Sequence, residues 1–122
     1  VILPEVISKE PLGPAVRHGD DKWLDVVKWT LFAMIEAEEL GLSSGNIEQN
    51  AASPNPAIQR FVGATGDIGK MLGLDNRWAF NVVRQVGNYG QVFDANLKPL
   101  GFERGINNLW TKGGLMYAPP IR

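Results

Sequence analysis

The longest stretch with a single hydrophobic period lies at 22–40. Its apolar residues recur at helical spacing, Asp20 and Asp21 stand before it as N-cap candidates, and Gly41 follows as a stop. At about 100° per residue, Trp23, Leu24, Val26, Val27, Leu31, Met34, Ile35 and Ala37 fall within one half of this helix and predict a wide buried face. Trp29 and Phe32 fall on the other side, among Asp25, Lys28, Glu36 and Glu39, and as an i, i+3 pair they are neighbours. They define an expected interface, covered either by a loop or the C-terminal tail of this chain or by another domain or subunit.

Before the helix, apolar and polar residues alternate around Glu5-Val6-Ile7-Ser8-Lys9 and again at Ala15-Val16-Arg17, with Pro11, Gly13 and Pro14 between. Two short extended pieces joined by a bend are predicted, because proline cannot donate to a ladder. After the helix, residues 41–56 are rich in Gly, Ser, Asn and Gln and predict a surface loop with no core. Asn55-Pro56 has the form of an N-cap with proline at the first helical position, opening a short helix through Phe61 and Val62. Another short helix is expected over 66–72, ending at Gly73.

A longer helix is expected from a cap at Asp75 or Asn76 to about Asn96. Its stripe of Trp78, Ala79, Val82, Val86, Tyr89, Phe93 and Leu97 keeps phase across Gly87 and Gly90, the alternative being a kink there. A short helix near 104–110 and an extended apolar tail close the chain. The fold class is thus mostly α with one or two short strands (α+β), divided into an extended segment at 1–19 and a helical body with tail at 20–122.

The 44% hydrophobic and 20% charged content of the 122 residues is that of a folding chain, not a disordered one. A net charge of −1 supplies no field for nucleic acid or anionic lipid. Residues 1–50 carry four basic and nine acidic side chains against eight and four in 51–122, so the halves are expected to face each other within the fold. With no Cys and one His, disulfides, thiol nucleophiles and multi-histidine metal centres are excluded, and neither a metal nor a cofactor is expected. The apolar runs fall short of the roughly 18 residues that span a bilayer. The start at Val1, without Met, suggests an N-terminus made by processing, cutting or design.

Candidate chemistry is sparse. Gly63-Ala64-Thr65-Gly66-Asp67-Ile68-Gly69-Lys70 resembles a phosphate-binding loop only superficially, since Ala64 and Met71 stand where glycine and a hydroxyl residue would be needed. His18 is near Asp20 and Asp21, but capping accounts for those carboxylates. Glu38 falls inside the apolar stripe of the first helix, either partly buried or swung out to solvent. The four tryptophans, Trp23, Trp29, Trp78 and Trp110, belong mostly to helix packing. Lacking a nucleophile–base set or a carboxylate pair outside caps, the chain is not expected to be an enzyme.

The strings Leu3-Pro4-Glu5-Val6-Ile7-Ser8-Lys9-Glu10-Pro11-Leu12-Gly13-Pro14, Val86-Gly87-Asn88-Tyr89-Gly90 and Leu109-Trp110-Thr111-Lys112-Gly113-Gly114-Leu115-Met116-Tyr117-Ala118-Pro119-Pro120, together with residues 23–41, closely resemble the C-terminal portion of periplasmic general L-amino-acid-binding proteins of ABC transporters. The resemblance covers essentially the whole chain. It implies part of lobe 1 of a two-lobed periplasmic-binding-protein α/β fold, a periplasmic location, free L-amino acids as ligands of the parent protein and ABC permease subunits as its partners. It also implies that the segment around Ile7, Ser8, Lys9 and Glu10 crosses the hinge. The Arg and Asp that hold the amino acid in such proteins are expected upstream of Val1, so no ligand-binding residue is assigned here. Exposed helical faces with few strands to cover them predict, for the isolated chain, a homo-oligomer or exchange of a segment. The competing reading is a small self-associating helical interaction module without a ligand site.

Overall fold

The computed structural model describes residues 3, 5, 7, 8 and 10–122. Among the described residues, five α-helices follow an arm with no regular secondary structure: α1 (Asp21–Glu39), α2 (Pro56–Phe61), α3 (Ile68–Met71), α4 (Trp78–Gln85) and α5 (Tyr89–Asn96). Short 3₁₀ turns lie at Gln49–Ala52, Lys98–Leu100, Gly105–Asn107 and Trp110–Lys112. Among the described residues no strand forms, and pairing is confined to one isolated parallel bridge between Leu109 and Met116. The extended pieces expected before α1 therefore stay unpaired in the described part of the arm, because no neighbouring strand is there to complete a ladder; Lys9 lies outside the described residues. Among the described residues no helix is long and apolar enough to cross a membrane.

The first helix begins where its cap predicts: the Asp20 carboxylate accepts from the Trp23 N–H at 3.1 Å. It ends at Leu40, with Gly41 at φ +70°, a left-handed turn that glycine enters without steric cost. Asn55 caps α2 by accepting from the Ala57 N–H at 2.9 Å, with Pro56 in the first turn. α3 is shorter than expected, and Gly73 at φ +72° follows it.

The helix expected to continue to Asn96 is instead two. Gly87 at φ +104° breaks the path, and Asn88 restarts it as α5 through a capping box in which Asn88 Oδ1 accepts from the Gln91 N–H and Gln91 Oε1 accepts from the Asn88 N–H. A stripe that keeps phase over two helices does not require one axis. Accordingly Trp78, Ala79 and Phe93 are buried as the stripe predicts, Val86 and Leu97 are exposed, and Phe80 and Val83 enter the core.

α1 packs on α4 and α5 and has two apolar clusters beside it. The larger joins Ala33 and Ala37 to Leu42, Ile47, Ile58, Phe61, Trp78, Val83 and Ile121, with Trp29 against it. The smaller joins Ile35 to Leu109 and Ala118, with Leu31, Phe32, Tyr89 and Met116 against it. Leu42 and Ile47 correct the expectation that 41–56 has no core. Both are fully buried, each contributing about 1.5–3 kcal/mol by the usual transfer scale, because the Asn46 side chain ties the loop back to Ser43 and Gly41. The face predicted for α1 is also corrected: burial concentrates at Ala33, Ile35, Glu36 and Ala37, while Trp23 and Leu24 remain 54% and 43% exposed.

Candidate functional site

Polar groups converge most closely along the last two turns of α1, where three glutamates meet the C-terminal third of the chain. Glu36 is buried, and its Oε2 accepts the Ile121 N–H at 2.9 Å, fastening the tail over the larger core. Burial pushes its carboxyl above the usual glutamate range, with neighbouring Glu39 adding to the rise, while the Ile121 N–H and Arg60 oppose it. Glu38 forms a two-pronged pair with Arg104, Nη1 to Oε1 and Nη2 to Oε2 both at 3.0 Å. Arg104 also donates to the Asn107 carbonyl and lies 5.3 Å from the ring centroids of Tyr89 and Phe93. Glu39 accepts from the Trp110 indole at 3.0 Å.

The acidic front half and basic rear half therefore do meet, at Glu38–Arg104 and at the exposed Glu48–Arg84 pair. Glu38 is neither free nor turned to solvent; its partner is 66 residues on, beyond the reach of any local pattern. Gly90 makes this possible, because a Cβ there would stand 2.8 Å from Arg104 Nη1 and 3.0 Å from Glu38 Oε1. A second network ties α5 to the loop after α1: Asn88 Nδ2 donates to the Leu42 carbonyl at 2.7 Å, and Gln91 exchanges hydrogen bonds with Ser44. The sequence carried its signal in the Asn88-x-x-Gln91 spacing, which is that of a capping box.

The remaining candidates do not assemble into a reactive centre. His18 is exposed beside the N-terminus of α1, in an open concavity lined by Val16, Arg17, Asp20 and Leu24. Lys70 of the glycine-punctuated segment is paired with Asp67 at 2.9 Å on the surface, which raises the lysine and lowers the aspartate through their mutual hydrogen bond. Trp29 and Phe32 are half-buried and meet edge to face at 5.6 Å. Each packs against one of the two clusters, into which the tail contributes Ile121 and Ala118, so part of this surface is covered by the chain itself. Ile7, Ser8 and Glu10 are exposed in the arm. Among the described residues no group of three His, Asp or Glu side chains could hold a metal. Glu36 and Glu38, the shielded carboxylates described above, are each engaged by a partner within the chain.

No family model matches the chain. Relatives and a solved structure do. The general L-amino acid-binding periplasmic protein AapJ of Rhizobium johnstonii is 56% identical over 127 residues, and the glutamate/glutamine/aspartate/asparagine-binding protein BztA of Rhodobacter capsulatus 55% over 126. Both alignments take in 100% of this chain and 37% of the relative. An ABC transporter periplasmic binding protein from Brucella ovis, solved with glutathione bound, superposes on 100% of this chain with a TM-score of 0.94 at 50% identity, over 40% of its own length. The chain is homologous throughout to part of the amino-acid-binding proteins of ABC transporters. It spans a little over a third of the length of these curated relatives, and its fold agrees along the whole chain with the matching 40% of the solved Brucella ovis protein.

Proposed function

We propose that the chain serves as the helical portion of lobe 1 in a two-lobed, periplasmic amino-acid-binding protein that delivers free L-amino acids to an ABC permease, and that it is not an enzyme. The observation that carries this reading is the superposition of the whole chain on part of a periplasmic binding protein. In this role Ile7, Ser8, Lys9 and Glu10 form the hinge crossing, and the residues that grip the amino acid come from outside this chain. The chain's own contribution in this role is to tie the lobe together, with α1 packed against α4 and α5 and bonded to the tail through Glu36, so that a closing lobe moves as one body. Trp29 and Phe32 present their uncovered parts as a contact surface.

A homo-oligomer or a segment-exchanged pair, and with it the self-associating module, has exposed apolar side chains such as Leu12 and Ile106 behind it. A place within a larger protein accounts for the same exposure without a second copy. The test is to exchange this chain for the matching stretch of the Rhizobium protein and titrate the chimera with a panel of L-amino acids by calorimetry. Saturable binding is expected; a folded chimera giving no heat with any amino acid would refute the proposal.

A further inference from the structure

Two consecutive glutamates at the end of α1 are each set against a pair of aromatic rings, and only one of the two holds a cation. Glu38 grips Arg104, whose guanidinium lies 5.3 Å from the ring centroids of Tyr89 and Phe93. Glu39 accepts the Trp110 indole N–H on Oε2 at 3.0 Å, and Trp110 meets Tyr117 at 5.8 Å with the ring planes at 76°. Among the described residues no lysine or arginine forms an ion pair with Glu39, Lys112 of the Trp110 turn included, and its Oε1 receives no hydrogen bond. All three groups face solvent, the rings being 49% and 63% exposed.

A loose loop does not explain that exposure. Leu109 and Ala118, the chain neighbours of Trp110 and Tyr117, are buried in the smaller cluster. The Trp110 N–H donates to the Met116 carbonyl and the Met116 N–H to the Asn108 carbonyl, both at 3.0 Å. A Cβ at Gly114 would overlap the Asn108 carbonyl, so residues 108–116 close tightly on themselves. Two large rings are thus held outward in a fixed corner, the indole N–H already satisfied by a carboxylate. Such bracing spares a contact the cost of ordering its side chains.

We infer that Glu39, Trp110 and Tyr117 form a surface site for an arginine side chain presented by another protein. A guanidinium is planar, stacks on aromatic faces and donates parallel N–H groups to a carboxylate, the combination that the chain itself assembles around Arg104. The corner is too open to surround a small molecule as a pocket does, whereas a side chain carried on a partner's surface needs only a ring face and a charge. The inference goes beyond the functional reading above and stands independently of it.

The test is a titration of the isolated chain with N-acetylarginine methylamide and with its uncharged citrulline counterpart. The readout is the NMR resonance of the Trp110 indole N–H, assigned through Trp110→Phe. A saturable shift with the millimolar arginine compound is expected, and a severalfold weaker response to citrulline. Glu39→Gln keeps an oxygen for the indole but removes the charge, and it should erase that preference. Tyr117→Leu should weaken binding severalfold while the methyl resonances of Leu42 and Val83 in the larger core stay in place; if that variant unfolds, Glu39→Gln alone decides. No shift, an equal response to citrulline, or an unchanged preference in Glu39→Gln would overturn the site. A shift that grows with chain concentration, before any compound is added, would assign the corner to a second copy and overturn the proposal. An unresponsive Trp110 in the folded Rhizobium chimera would assign it to the remainder of the larger protein, with the same consequence.

Discussion

Glu36 shows how a single residue can hold a fold together and weaken it at once. Its carboxylate fixes the tail by accepting the Ile121 N–H, yet burial raises its pKa, so the ionised form is less welcome in the folded state than in the unfolded one. The folded state then retains a proton that the unfolded chain has released, and stability falls as pH rises from the ordinary glutamate value through the raised one. Glu36→Gln keeps an oxygen for Ile121 and removes the charge. It is expected to raise the melting temperature at pH 7 and to be nearly neutral at pH 4, as followed by circular dichroism. Glu36→Ala orphans the Ile121 N–H and should cost about 1–3 kcal/mol in denaturant titrations.

The Glu38–Arg104 pair behaves differently, because both groups are largely shielded and each satisfies the other. Arg104→Ala should cost about 3 kcal/mol, since it leaves Glu38 shielded from water without its counter-charge. Gly90→Ala is expected to destabilise by about 1–3 kcal/mol by crowding the same pair, although Gly90 sits in a helix where alanine is otherwise favoured. Equal or greater stability of Gly90→Ala would show that the close approach is unimportant.

At the scale of elements, the break between α4 and α5 decides the path of the chain. Asn88 both caps α5 and donates to the Leu42 carbonyl, so Asn88→Ala removes two supports and should cost about 2 kcal/mol, measured by urea unfolding. What could be read from the sequence at this scale was local chemistry: Asp20, Asn55 and Pro56 set helix starts within their own few residues, and the structure keeps them. What could not be read was phase without continuity. Val86, at the C-cap of α4, and Tyr89, the first residue of α5, keep the stripe's phase on two different axes, separated by the positive φ at Gly87 and the extended backbone of Asn88. Leu42 and Ile47 were hidden by the same limit, because two apolar residues in a polar loop show no period, and their burial depends on Asn46 folding the loop beneath them.

For the whole molecule, the contrast between pattern and burial on α1 is the informative one. The helical period marks Trp23 and Leu24 for burial, and the described chain leaves them exposed while engaging Ala33, Ile35 and Ala37. Such a residue is patterned for a neighbour. The candidate site was legible only in part: Glu38 drew attention by its position in the stripe, but Arg104 and Gly90 reach it, and the Ile121 N–H reaches Glu36, from more than fifty residues away, which no helical or strand period encodes. The central claim, that this chain scaffolds a larger amino-acid-binding protein and does not grip the ligand, is tested most directly by calorimetric titration of the isolated chain and the Rhizobium chimera with the same L-amino acids. Saturable heat from the chimera and none from the isolated chain is the expected result. Saturable binding by the isolated chain would contradict it.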